Sequence, residues 1–233
     1  MLWGWFDPMY LVFLAPGILL ALWAQLRVQS AYQEASRIPA RSGLTGAQAA
    51  DALLRRAGVP GVDIEPVEGF LSDHYVPGQK VLRLSPAVYA GRSLAAVGIA
   101  AHESGHAIQD ARRYPLLVLR SALVPVANVG SSLSWIIIMV GFALASLAWV
   151  KVGILAFSTT VVFQLVNLPV EFDASRRARL ALVQGGLVTP EEDAEVKRVL
   201  DAAALTYVAA TLTAILTLLY FLFRSGLLGG RRD

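Results

Sequence analysis

Two of the three histidines in this chain stand four residues apart, in His102-Glu103-Ser104-Gly105-His106. An α-helix turns about 100° per residue, so positions i and i+4 share a face and both imidazoles can reach one ion. The acid beside the first histidine then stands where it can take a proton from a water held there. The H-E-x-x-H pattern therefore suits hydrolysis by a zinc-activated water, with His102 and His106 as ligands of one Zn2+ per chain and Glu103 as general base. Glu103 can later return the proton to a leaving amine. A lone histidine is more often an ordinary core or surface residue. Two on one helical face, with an acid in register, ask for another explanation.

The motif must lie on a helix, and its surroundings supply one. Ala95 to Ala107 is helix-compatible, with Gly98 and Gly105 the weak formers; Ser93 is a candidate N-cap and the helix runs to about Arg112. Upstream, Thr45-Gly46-Ala47-Gln48 reads as a capping box and Gly58 as a helix stop, with a short helix between them. Gly61 to Glu68 alternates as a strand does, and His74-Tyr75 with Lys80 to Leu84 makes a strand pair around Pro77-Gly78. Ser85-Pro86 opens a further helical turn.

The rest of the chain is apolar. Hydrophobic residues make up 56% of the 233, too many for an ordinary soluble domain. Tyr10 to Leu26 is uncharged and long enough to cross a bilayer. A cleaved leader fits poorly, because Asp7 and no Lys or Arg precede the span. Arg27 to Arg41 reads as an amphipathic continuation. Between Leu116 and Val170 the only charges are Arg120 and Lys151, which gives two spans, near Leu123–Trp149 and Val152–Leu168, with Lys151 and Gly153 in the turn. Thr189-Pro190-Glu191-Glu192 starts a helix that leads to a fourth span, about Leu205 to Phe223. Trp3, Trp5 and Phe6 read as an interface anchor.

The expected fold class is thus a mainly α membrane protein: four transmembrane helices and a small α+β domain carrying the H-E-x-x-H helix. The expected parts are an N-terminal segment with the first span (1–27), a water-facing domain (28–115), a transmembrane hairpin (116–170), a polar helical interval (171–204), and a fourth span with its tail (205–233). Ten Lys and Arg fall in 27–115 and five in 170–201, which places both intervals in the cytoplasm. Lys151 and the tail arginines, Arg224, Arg231 and Arg232, run against that count. The expected location is the cell membrane, multi-pass, with the site on the cytoplasmic side.

No cysteine occurs, so thiolate ligands, thiol nucleophiles and disulfides are excluded. No histidine follows the motif, and position 112 is Arg, so the three-histidine form is excluded as well. A carboxylate must complete the site. The motif lies just before a two-span hairpin, which returns the chain to the same face. The first acid after the return is Glu171, the expected third ligand. Asp173 follows as a candidate acceptor for an imidazole N–H.

At this point the sequence resembles a family. Asp73-His74-Tyr75, Lys80 to Ser85, Ala101 to Gln109 and Asn167 to Ser175 look like the YugP-type bacterial membrane zinc metallopeptidases, over nearly the whole chain. The plan is more distantly similar to the HtpX and CAAX-prenyl membrane proteases, which have a glutamate ligand and an aspartate four positions later. Here position 175 is Ser and the acid is Asp173, so that aspartate is not carried over. The resemblance implies a zinc-dependent membrane peptidase.

Other residues carry weaker signals. His74 and Tyr75 lie on a strand that could line a cleft and pair with an extended peptide, or His74 could stabilise an oxyanion. Gln109 and Asn167 are candidates for supporting the site. Arg177, with Arg176, suits a peptide carboxylate, the orientation of Glu171, or lipid head groups. Net charge is only +3, with the basic residues beside apolar spans, so nucleic acid is not an expected partner. The expected partners are the bilayer and a peptide or membrane-protein substrate. The expected function is a membrane-embedded zinc endopeptidase. Its rivals are a non-catalytic zinc-containing membrane scaffold or adaptor, and a carrier. A carrier would place charges within spans and repeat itself, and neither is seen.

Overall fold

The computed structural model describes residues 7–228. Trp3, Trp5 and Phe6 lie outside the described residues, as do Arg231 and Arg232. The described chain runs α1 (Pro8–Ser36), α2 (Gly46–Arg56), β1 (Asp63–Pro66), β2 (His74–Val76), β3 (Val81–Leu84), α3 (Pro86–Tyr89), α4 (Leu94–Ala111), α5 (Pro115–Ala143), α6 (Leu147–Gln184) and α7 (Pro190–Arg224). The protein is a mainly α membrane protein with a small α+β region. Four helices, α1, α5, α6 and α7, are long and apolar enough to cross a membrane. Contacts divide the chain into two units.

The first unit comprises residues up to Trp23, Leu119–Leu168 and Thr206 onward. Its helices turn large apolar side chains outward, among them Leu19, Leu22, Val129, Ile136 and Leu155. In water that would be costly; facing lipid it is not. Inside it, Tyr10 packs edge-on against Trp135 and Tyr220, and Trp135 against Phe221. Asp7 is held by the Tyr220 hydroxyl at 3.0 Å and by Arg224 at 3.1 Å.

The hairpin turn is not at Lys151 and Gly153. Helix α5 ends at Ala143, Ala145 takes a left-handed conformation (φ 47°), and α6 starts at Leu147, so Lys151 is already helical. Gly153 serves packing rather than turning: a Cβ there would lie 2.4 Å from Ile138 Cγ1. A glycine read from sequence as punctuation is here a place where α5 and α6 approach closely.

The second unit comprises Ala24–Val118 and Pro169–Leu205. Its sheet has the order β1-β3-β2, β1 parallel and β2 antiparallel to β3, with Tyr75 opposite Leu82. Local chemistry starts its helices as expected. Thr45 and Gln48 form a reciprocal capping box on α2, Ser93 accepts from Ala96 N–H at the start of α4, and Thr189 and Glu192 exchange bonds at the start of α7. Helix α4 lies at the centre, with nearly every side chain from Leu94 to Gln109 buried. That explains its weak amphipathicity: a helix surrounded on all sides has no solvent face to mark. Leu94, Val97 and Ala101 pack with Leu53, Ala178, Leu182, Val196 and Leu200, while Ala100, Ala107 and Ile108 pack against Leu82, Leu84 and Val88.

Candidate metal centre

Helix α4 brings His102 and His106 to one face, and α6 brings Glu171 opposite them. Their three ligand atoms all lie within 4.8 Å of one another. Glu171 Oε2 is 3.3 Å from His102 Nε2 and 3.4 Å from His106 Nε2. Ligands about 2.05 Å from a tetrahedral zinc stand about 3.3 Å apart, so these spacings fit that ion. Glu171 is only 2% exposed, and Glu103 is also buried. A carboxylate so deep is costly unless charged partners or a cation meet it.

Each imidazole is oriented from its far nitrogen. His102 Nδ1 is 3.1 Å from Ser175 Oγ, and His106 Nδ1 is 3.1 Å from Gln109 Oε1. Such bonds fix which nitrogen is left to face the centre. Gln109, fully buried, donates from Nε2 to the Val170 carbonyl and to Asp173, both at 2.9 Å. Asp173 therefore reaches His106 through Gln109. It also accepts from Arg176 at 2.6 Å and from Arg177. The Arg177 guanidinium lies over the Tyr114 ring.

The remaining predicted residues fall in different places. Tyr75 donates to Asp110 on α4 at 2.8 Å; burial, then that bond, hold its phenol well above the usual range. His74 is exposed, its Nδ1 2.7 Å from the Ser72 carbonyl, and is not part of the three-residue cluster. Asn167 belongs to the other unit, buried, its Oδ1 without a hydrogen-bond partner among the described residues.

Two residues escaped the sequence reading. Ser175, four positions after Glu171, meets His102; the i+4 spacing was the available signal. Asp73 accepts from Ser85 N–H at 2.7 Å and from its hydroxyl at 3.1 Å. Burial raises the Asp73 carboxyl above the ordinary range, the Ser85 bonds oppose this, and the Glu103 charge adds to it. The Glu103 charge thus reaches Asp73, which nothing in their sequence separation announced.

The fold and the cluster define a multi-span protein in which two histidines and a glutamate are grouped as a possible metal site. The family model described as "Putative neutral zinc metallopeptidase" matches residues 10–226, and the chain belongs to that family. Among curated proteins it is similar to "Putative membrane protease YugP" of Bacillus subtilis (strain 168), 46% identical over 202 residues, covering 87% of this chain and 90% of the relative. No solved structure matches it.

Proposed function

We propose that this protein is a zinc-dependent endopeptidase acting on membrane or membrane-proximal proteins. His102, His106 and Glu171 hold the ion, one per chain. The observation that carries this reading is the convergence of the three ligand atoms within 4.8 Å, with Glu171 at 3.3 and 3.4 Å from the two imidazoles, although Glu171 is 65 positions beyond His106. Bound zinc would acidify a water and polarise the scissile carbonyl.

The chain's own residues supply the rest. Glu103, beside the first ligand and withdrawn from bulk water, takes the proton of the attacking water and returns it to the leaving amine. Gln109 and Ser175 hold the imidazoles in the tautomer that offers Nε2. Asp173, pinned by Arg176 and Arg177, keeps Gln109 in place. Three protein ligands leave a position open for water, which favours catalysis over a closed structural site in a scaffold.

The substrate class follows from depth. Glu171 comes directly after an apolar run, on the same helix, so the peptide is cleaved close to the bilayer. The basic residues of 27–115 and 170–201 favour the cytoplasmic side of the cell membrane for this site. The test is cleavage by full-length protein in lipid, with and without a chelator and added zinc, of a membrane-anchored substrate and of soluble casein. Zinc-dependent cleavage of the anchored substrate is expected. Rapid cleavage of casein with none of the anchored protein would refute the substrate class, and cleavage indifferent to zinc would refute the reaction.

A further inference from the structure

Within the second unit, α2, α4 and α6 border a half-open cavity of about 400 Å³. Leu53, Ile108 and Leu180 contribute apolar wall, and Arg56, Arg112 and Arg177 contribute three positive charges; no acidic side chain lines it. It is not the cleft of the metal centre. Ile108 and Arg112 stand about 200° and 240° round α4 from His106, and Leu180 and Arg177 about 180° and 240° round α6 from Glu171. The cavity lies behind the helices whose front faces carry the candidate ligands.

Three guanidiniums border one concavity and, among the described residues, only that of Arg177 is ion-paired, to Asp173, so the two remaining charges favour an anion there. Two of the three have other duties. Arg56, in the last turn of α2, donates to the Gly185 carbonyl, and Arg177 is bound to Asp173. Arginines at helix ends ordinarily serve the terminal carbonyls. Arg112, the C-cap of α4, does not: its side chain has no hydrogen-bond or ion-pair partner among the described residues, and it remains solvent-accessible. A free guanidinium, two more beside it and an apolar wall match a phosphate group, whose oxygens accept the paired N–H donors of arginine. The volume is within the usual range for small-ligand sites, about 300–1,000 Å³.

We propose that this cavity is a binding site for a phosphate group, free in solution or carried by an anionic lipid. The site is independent of whether the metal centre hydrolyses peptides. Arg177 is tied to Asp173 and through it to Gln109 and His106, so Arg112 and Arg56 are the residues to vary.

The experiment measures thermal stability of full-length protein at constant ionic strength. In detergent, inorganic phosphate is titrated against chloride; in nanodiscs, phosphatidylglycerol is compared with phosphatidylcholine. Wild type, Arg112→Gln, Arg112→Lys and Arg56→Lys are compared. Saturable stabilisation by inorganic phosphate, weakened about tenfold in Arg112→Gln and less in either Lys variant, supports a site open to free anions. Stabilisation by phosphatidylglycerol alone, with the same Arg112 dependence, supports the site with a lipid as the source. An equal response of wild type and Arg112→Gln in both media overturns it.

Discussion

Gly105 packs so closely on Ala174 that a Cβ at position 105 would lie 2.5 Å from the Ala174 carbonyl oxygen. The contact sets the spacing of α4 and α6 beside the candidate ligands, since Gly105 precedes His106 and Ala174 follows Glu171 by three. Gly98, two turns earlier on the same stripe, faces the Val196 side chain of α7, where a Cβ would lie 3.0 Å from Cγ1. The variable positions of the H-E-x-x-H motif are therefore not free. Gly105→Ala must push backbone from backbone, at a cost of about 1–3 kcal/mol. A lower melting temperature together with weaker zinc retention is expected; an unchanged melting temperature in calorimetry would contradict this packing account.

Gln109 holds His106 with one end of its amide and Val170 and Asp173 with the other. Removing it frees the imidazole and leaves buried groups unpaired. Gln109→Ala is expected to weaken zinc affinity about 10–100-fold, read by competition with a chromophoric chelator. Ser175→Ala, which removes one hydroxyl from His102, acts in the same direction with smaller effect.

The charges of Asp73 and Glu103 make a pH prediction. Burial, aided by the Glu103 charge, raises the folded-state Asp73 carboxyl above its unfolded value of about 3.9. Between the two values the folded state binds more protons, so stability is greatest below the unfolded pKa and falls as pH rises through the folded one. In melting temperatures measured upward from pH 4, Asp73→Asn is expected to lack that component of the fall. Glu103→Gln is expected to move it to lower pH. Parallel profiles for wild type and both variants would show that the two carboxylates are uncoupled.

Metal removal has a stability signature. A site that gathers residues from α4 and α6 exists only in the folded chain, so bound zinc adds its binding free energy to folding. Chelation is expected to lower the melting temperature, and zinc to restore it, in wild type and not in His106→Ala. A melting temperature indifferent to the chelator would argue against a resident ion.

What could be read from the sequence was what short-range chemistry determines. The caps at Thr45, Ser93 and Thr189, the strand pair around Pro77-Gly78 and the spacing of the two histidines all depend on neighbours a few residues away. The fold class followed from apolar runs whose length matches a bilayer. That Glu171 comes beside the two histidines could be expected because two spans form a hairpin and return the chain, a topological argument independent of side-chain detail. The hairpin turn itself was misplaced, because Ala145 adopts a left-handed turn without a glycine while Gly153 is spent on helix contact. Ser175 and Asp73 were not read as site residues, since a hydroxyl and a loop carboxylate acquire their meaning only from the helix packed beside them. Gly98 and Gly105 looked like weaknesses in a helix until Val196 and Ala174 were seen against them.

In the proposed reaction Glu103 moves the proton while His102, His106 and Glu171 hold the ion. Cleavage of a membrane-anchored substrate by Glu103→Gln, with zinc counted in the same sample, tests it most directly. One zinc per chain is expected, as in wild type, with cleavage reduced at least about a hundredfold, whereas Glu171→Ala loses the zinc itself. Wild-type cleavage by a zinc-loaded Glu103→Gln protein would contradict it.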